Sequence, residues 1–300
     1  MAPDITIFDR KLVRRHRDRA AAGFAAHGFL FEEIAARVAE RLDDVRRAFP
    51  AALDLGCRTG GLARALAGRG GIETLVGCDL SEAMVRRAGG GVAADAEALP
   101  FADGAFDLVV SAMDLHWVND LPGALIQIRR ALKPDGLFVA AMLGGDTLVE
   151  LRRALIEGET EVEGGASPRT SPVADVRDAG ALLQRAGFAL PVVDSDTITV
   201  TYADAFALMR DLRGMAETNA TVARRRNPTR RATLMAAAAR YHALYAGADG
   251  RIPATFEVLT LTGWAPHAAQ PRALRPGSAA ARLADALEAE EKPAGDKPQP

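Results

Sequence analysis

The chain reads as a doubly wound α/β protein with a seven-stranded, mostly parallel sheet, preceded by N-terminal helices and interrupted by a helical insertion before the last strand. Three observations predict this. From about Ala51 to Met142 short apolar runs alternate with amphipathic stretches, the pattern of repeated βα units. A glycine-rich turn carrying Gly56, Gly60 and Gly61 follows the first run, where a strand hands over to a helix. Finally, an alternating β-branched run at Val192–Thr201 is answered by another at Ala254–Gly263, the two separated by the mostly helical stretch Tyr202–Arg251.

In chain order, residues 12–49 supply one or two helices in front of the sheet, whose Phe24, Phe29, Phe31, Ile34 and Val38 either cover a pocket or simply pack. Strands are expected at Ala51–Leu55, Thr74–Cys78, Val92–Ala94, Phe106–Ala112 and Leu137–Met142. Helices are expected at Leu62–Ala67, Ser81–Ala88 and Asp120–Leu132, the last with the stripe Leu121, Leu125, Ile128 and Leu132. Ser81 with Glu82 suits a helix start, and Lys133-Pro-Asp-Gly136 ends a helix and turns into the next strand. Asp178–Phe188 reads as a helix closed near Gly187, and the insertion carries Leu208, Leu212 and Met215 along one face. The expected organisation is a helical cap over 1–49, a nucleotide-binding α/β domain over 50–201, the insertion over 202–251, the last strand within 252–276 and a disordered tail over 277–300, rich in charge and proline.

Composition narrows the partners. The hydrophobic fraction is 49%, the charged fraction 25% and the net charge −2, so no strong field is offered to nucleic acid or an anionic membrane, and any membrane association would be peripheral. No apolar run approaches the ~20 residues of a membrane span. Cys57 and Cys78 both fall in expected core elements, which predicts reduced thiols and a cytoplasmic protein.

Glycines in a strand-to-helix turn let backbone approach a ligand, and here they admit either a nucleotide or mere turn chemistry. Asp79, ending the second strand, can accept from both hydroxyls of a ribose or belong to the helix start at Ser81. Asp95 follows the third strand, where it can meet an adenine amino group or simply be solvated. Asp54 ends the first strand, placed to hold the turn's amides or a ligand ammonium. A dinucleotide fingerprint would want a different glycine offset, and Arg58 interrupts it.

Taken together, Leu53-Asp-Leu-Gly-Cys-Arg-Thr-Gly60, Gly77-Cys-Asp79, Ala94-Asp-Ala-Glu-Ala-Leu-Pro-Phe101 and Phe106-Asp-Leu-Val-Val110 resemble the successive motifs of class I methyltransferases of the Rossmann-like fold. The resemblance implies S-adenosylmethionine as cofactor. It gives the methionine moiety to Asp54, Gly56 and Gly60, the ribose to Asp79 with Leu80 beside it, and the adenine region to Asp95 and Ala96. Arg58 departs from the family pattern, which usually has glycine there, and so bears on cofactor affinity.

A narrower resemblance runs from about Phe8 to Gly277. Leu115-His-Trp-Val-Asn-Asp-Leu-Pro122, Leu143-Gly-Gly-Asp-Thr-Leu148, Glu159-Thr-Glu-Val-Glu-Gly-Gly-Ala-Ser-Pro168 and Leu212-Arg-Gly-Met-Ala-Glu-Thr-Asn219 are similar to the assembly-factor family of respiratory complex I. That family implies hydroxylation of an arginine on a quinone-proximal complex I subunit. More distantly, His116-Trp-Val resembles the malonyl-carrier-protein O-methyltransferase of biotin synthesis, which implies methyl transfer to a small acid or carrier-bound acyl group; a non-catalytic assembly chaperone is the third reading.

Methyl transfer needs chiefly orientation, with a base only when the nucleophile must lose a proton. Asp114, His116 and Trp117 follow the fourth strand, with His116 a candidate base and Trp117 a candidate wall, or both simply packing. Asp146 either binds a cationic substrate group or, like Thr147, caps the helix through Leu155. The run Arg224-Arg-Arg226 is expected to be solvated or to meet an acidic partner. No metal site is assigned: His16-Arg-Asp18 has a local ligand spacing, but no second histidine can be tied to it, and His27, His242 and His267 look incidental.

Overall fold

The computed structural model describes residues 6–172, 175–271, 283–289 and 295. Seven strands form one sheet: β1 (Ala51–Leu55), β2 (Thr74–Asp79), β3 (Val92–Ala93), β4 (Phe106–Ala112), β5 (Leu132–Leu143), β6 (Ala189–Tyr202) and β7 (Ile252–Trp264). Their order is β3-β2-β1-β4-β5-β7-β6, with β7 antiparallel to both neighbours and the other pairings parallel. Central strands must bury both faces, which is why β1 and β4 are nearly continuous apolar runs. Alternation then divides the core: Leu108, Val110 and Ala112 face one cluster and Val109 the other, and β5 splits in the same way, Leu137, Val139 and Ala141 against Phe138, Ala140 and Met142.

Helices α1 (Arg10–Ala20), α2 (Phe29–Glu40), α3 (Gly61–Ala65) and α4 (Glu82–Arg87) precede β4, α5 (Leu121–Ala131) leads into β5, and α6 (Val149–Glu163) and α7 (Val176–Arg185) precede β6. The insertion holds α8 (Ala205–Gly214) and α9 (Arg231–Tyr245). Side-chain N-caps start several of these: Asp9 for α1, Ser81 for α4, Asp120 for α5, Asp175 for α7 and Asp204 for α8. The α9 backbone lies directly on α6 at Gly158, where a Cβ would stand 2.5 Å from the Ala237 nitrogen. Residues up to Pro266 form one compact unit; beyond it the described element is α10 (Leu283–Ala286), and the expected tail otherwise falls outside the described residues. Among the described residues no helix is long and apolar enough to cross a membrane, and Cys57 and Cys78 are both buried and free.

Some local expectations are corrected. Strand β5 begins at Leu132, not Leu137, because Leu132 pairs with Phe106 across a register shift while Asp135 takes a positive φ of 62°. Neither Asp146 nor Thr147 caps α6, which starts from Leu148 in the left-handed region (φ 54°). β7 holds this turn in another way: Glu257 accepts from the Asp146 backbone amide at 2.8 Å, leaving the Asp146 side chain exposed, and the Thr147 hydroxyl donates to the Glu257 carbonyl at 3.1 Å. The arginine run is not simply solvated, since Arg225 pairs with Glu159 and Glu163 of α6 and Arg224 donates to the Thr221 carbonyl at 2.8 Å; Arg226 alone of the three is exposed.

Candidate functional site

The strand order reverses between β1 and β4, and ligands of open α/β sheets bind at such a switch point, beyond the carboxyl ends of the strands. Asp54, Gly56 and Asp114 lie there. Gly56 is required by contact as well as by φ (+81°): a Cβ would stand 2.3 Å from the Asp114 Cβ. Gly56→Ala is therefore expected to destabilise the fold by about 1–3 kcal/mol from overpacking alone, read as a drop in melting temperature; an unchanged value would show that β4 gives way freely. The amides of Gly56 and Cys57 donate to the Cys78 carbonyl at 2.7 and 3.0 Å, so Asp54 does not hold the turn.

Both Asp54 oxygens are buried and accept nothing among the described residues. Burial first, then the charges of Asp79 and Asp114, push its carboxyl up to about 8. Asp79, in contrast, is well served: Oδ1 accepts from the Ser81 amide at 2.8 Å and Arg17 Nη1 at 3.2 Å, and Oδ2 accepts from the Arg58 amide at 3.2 Å. Arg17 also forms an ion pair with Asp114, both buried. Burial alone would raise the Asp114 carboxyl, but Arg17, then Arg58 and Arg10, hold it down at about 2.

Arg58 carries a positive φ (48°) and turns its side chain inward. Its Nη2 donates to the Met113 carbonyl at 3.0 Å and to Glu217 Oε1 at 3.1 Å, and the guanidinium lies 5.2 Å above the Phe31 ring. Met113 is itself strained at φ 61°. Glu217 Oε2 meets His116 Nε2 at 3.0 Å and accepts from Trp117 Nε1 at 3.0 Å. Burial would raise the Glu217 carboxyl; His116 and Arg58 keep it below its ordinary value. Farther along, Asp95 is clasped by Arg10, whose Nε donates at 3.1 Å and whose Nη1 donates to the Trp117 carbonyl at 2.9 Å. Leu80 packs with Phe8, Val13 and Trp117, and Ala96 lies in the core face shared with Phe106.

A cavity of about 220 Å³ opens beside this cluster, between the ends of β4 and β5 and the insertion. Met113, His116, Trp117 and Glu217 form part of its wall, with Leu148, Leu155, Arg169, Met209, Leu212, Met215 and Asn219. Arg169 is fixed by Glu159, which also receives the Ser167 amide, and Asn219 donates to the Pro168 carbonyl at 2.9 Å.

The structure thus gathers Asp54, Gly56, Asp79 and Asp114 around the turn, with His116 and Trp117 facing the cavity, but it leaves Asp146 exposed and outside the cavity wall. Of the two roles open to the apolar residues of the N-terminal helices, packing describes most of them: Phe24, Phe31, Ile34 and Val38 are buried in the core, and Phe29 is 39% exposed. What sequence reasoning missed are Arg10, Arg17 and Glu217. Arg17 did leave a trace, since it sits between Val13 and Ala20 on the buried stripe of α1. His16 and His27 are engaged with Thr218 and Asp211. Among the described residues no group of three or more His, Cys, Asp or Glu is arranged to hold a metal ion.

Comparison with known proteins places this geometry. Residues 53–140 match the model of a methyltransferase domain. Over 289 residues the chain is 43% identical to "Arginine-hydroxylase NDUFAF5, mitochondrial" of Danio rerio, covering 94% of this chain and 89% of that one. It is 37% identical to a malonyl-[acyl-carrier protein] O-methyltransferase of a Methylovorus species, covering 89% and 93% respectively. Among solved structures, phosphoethanolamine N-methyltransferase 2 of Haemonchus contortus, in complex with S-adenosyl-L-methionine, superposes with a TM-score of 0.53 at 18% identity over 85% of this chain and 60% of that one, which shows the fold. The cytoplasmic location expected from the cysteines is corrected by these findings: the Danio rerio protein and its counterparts in Rattus norvegicus, Mus musculus and Homo sapiens are mitochondrial by name, and buried thiols do not distinguish two reducing compartments.

Proposed function

The chain belongs to the family of the NDUFAF5 arginine hydroxylases, and from that premise we propose that it acts in the assembly of respiratory complex I by modifying, through hydroxylation, an arginine of a quinone-proximal subunit. The observation that carries this reading is the wall of the cavity. The separate segments that resemble the assembly-factor family, at 115–122, 143–148, 159–168 and 212–219, all contribute to that wall or to the contacts that hold it. An arginine side chain has an apolar stem and a cationic head; Met209, Leu212 and Met215 suit the first, and Glu217 is the acidic group of the wall among the described residues, which a substrate guanidinium would take over from Arg58. His116, oriented by Glu217, is the proposed proton-handling group and Trp117 the proposed wall, while Asp114 serves Arg17. On this reading residues 1–49 cap the site, 50–201 carry it and 202–251 face the substrate.

S-adenosylmethionine is the proposed ligand of the turn, held by Asp54, Gly56, Gly60, Asp79, Leu80, Asp95 and Ala96. With Arg17 and Arg58 where they stand it does not fit, because a ribose diol needs two acceptor positions on Asp79, and these two arginines and Ser81 leave about one of its four. A second reading, methyl transfer to a carrier-bound acyl group, is favoured by the Methylovorus relative. Deleting the gene in its host and mass-mapping both the quinone-proximal subunit and the acyl groups on the carrier protein separates the two. Loss of one oxygen on an arginine is expected; an unaltered subunit with loss of a methyl group from the carrier-bound acyl chain would favour the second reading, and no change in either would leave only an assembly role without chemistry.

A further inference from the structure

S-adenosylmethionine and the arginines of this chain lay claim to the same carboxylates. Resting on the nucleotide-site reading above, we infer that Arg17 of α1, backed by Arg58, is an internal occupant of the nucleotide site, and that an adenosyl ligand enters only as α1 withdraws. The first ground is competition for acceptors. A carboxylate offers roughly four acceptor positions, and Asp79 already serves the Ser81 amide, the Arg17 guanidinium and the Arg58 amide, which leaves about one where a ribose diol needs two, and withdrawal of Arg17 frees the second. Asp95, at the adenine end, is likewise clasped by Arg10 of the same helix and by the Glu97 amide.

The second ground is charge. Arg17 and Arg58 are both buried, at 1% and 3% exposure, Arg17 between Asp79 and Asp114 and Arg58 on Glu217. A sulfonium brought to the turn would compete with Arg17 for the same carboxylates, and the two cations repel one another in a desolvated site. Asp54, which burial keeps protonated at neutral pH, offers it no counter-charge while Arg17 holds Asp114.

The third ground is how α1 is seated. Of its buried residues two are polar, His16 and Arg17, and two apolar, Val13 and Ala20, while Lys11, Arg14, Arg15 and Arg19 are exposed. The helix is thus held as much by polar contacts to the site as by apolar burial, so a ligand that satisfies those carboxylates removes part of what holds it. Withdrawal would reach the cavity as well. His16 meets the Thr218 hydroxyl at 2.8 Å, and the Asp9 amide donates to the Ala220 carbonyl at 2.8 Å, so α1 props the segment carrying Glu217. Ligand at the turn and substrate in the cavity are therefore coupled, and coupling of binding is reciprocal.

Calorimetry with S-adenosylmethionine and with its demethylated form S-adenosylhomocysteine, which lacks the sulfonium charge, tests this on the full chain, for the wild type, Arg17→Gln and Arg58→Gly, alongside hydrogen exchange of the α1 amides. A site closed most of the time binds more weakly by the fraction open. Both substitutions are therefore expected to tighten binding by about tenfold or more, and ligand is expected to speed exchange along α1. Weaker binding by Arg17→Gln together with slower α1 exchange would overturn the inference alone, because Arg17 would then contact the ligand. Absence of binding by all three proteins would overturn the nucleotide reading and this inference with it. Should Arg17→Gln fail to fold, the exchange measurement on the wild type and Arg58→Gly gives the same decision.

Discussion

Glu217→Ala is expected to destabilise the folded chain by about 3–5 kcal/mol, the range for removing one partner from a buried ion pair, which corresponds to a fall of roughly 5–8 °C in melting temperature for a chain of this size. The Glu217 side chain is 5% exposed, and both of its oxygens are used, Oε1 by Arg58 and Oε2 by His116 and Trp117. Truncation leaves the buried Arg58 guanidinium with the Met113 carbonyl as its remaining acceptor and strands the Trp117 N–H. Glu217→Gln keeps an acceptor and loses the charge, so it should fall between. The double variant with Arg58→Gly separates ion-pair loss from loss of packing: taking away the stranded cation should recover part of the stability, a coupling that independent sites would not show. A loss under about 1 kcal/mol for Glu217→Ala would mean that water reaches Arg58 and the pair is not buried in solution.

The same residues show where sequence stops informing. Strands β1 and β4 were legible to the residue because a strand buried on both faces must be apolar throughout, and glycine turns mark its ends. The start of β5 was not, because Pro134 and Gly136 carry a local turn signature whereas the pairing of Leu132 with Phe106 is tertiary. Asp146 and Thr147 misled for the same reason: they have the chemistry of a helix cap, but a strand more than a hundred residues away takes the Asp146 backbone amide and the Thr147 hydroxyl. Within the site, Asp54, Gly56 and Asp79 stand at strand ends and Gly60 at the start of α3, so element order alone located them. Arg17 reaches Asp79 across 62 positions and Glu217 reaches Arg58 across 159, and no local spacing encodes either contact. Arg58 stood out as a departure from glycine; that its guanidinium would pair with a glutamate of the insertion required the fold.

The buried carboxyl of Asp54 should give the protein a pH dependence of unusual sign. Most carboxylates are stabilised in their charged form by folding, and their contribution is lost in acid. Asp54 is the reverse: burial, reinforced by Asp79 and Asp114, raises it from 3.8 to about 8. Below about pH 4 the group is protonated in folded and unfolded chains alike and does not affect stability. Between about 4 and 8 the unfolded chain has released the proton and the folded chain retains it, so stability falls as pH rises, by on the order of 5 kcal/mol across the interval at 1.36 kcal/mol per unit. Asp54→Asn removes the titration while keeping the shape. Denaturant unfolding from pH 5 to 9 is expected to show the variant gaining on the wild type steadily, with the difference levelling off above about pH 8; parallel curves would mean that Asp54 is hydrated or paired in solution. A ligand ammonium placed beside Asp54 would draw the carboxyl back toward its ordinary value, so binding at the turn should flatten the wild-type slope and release this proton between about pH 4 and 8, whereas binding confined to the cavity wall at Glu217 should leave the slope as it is.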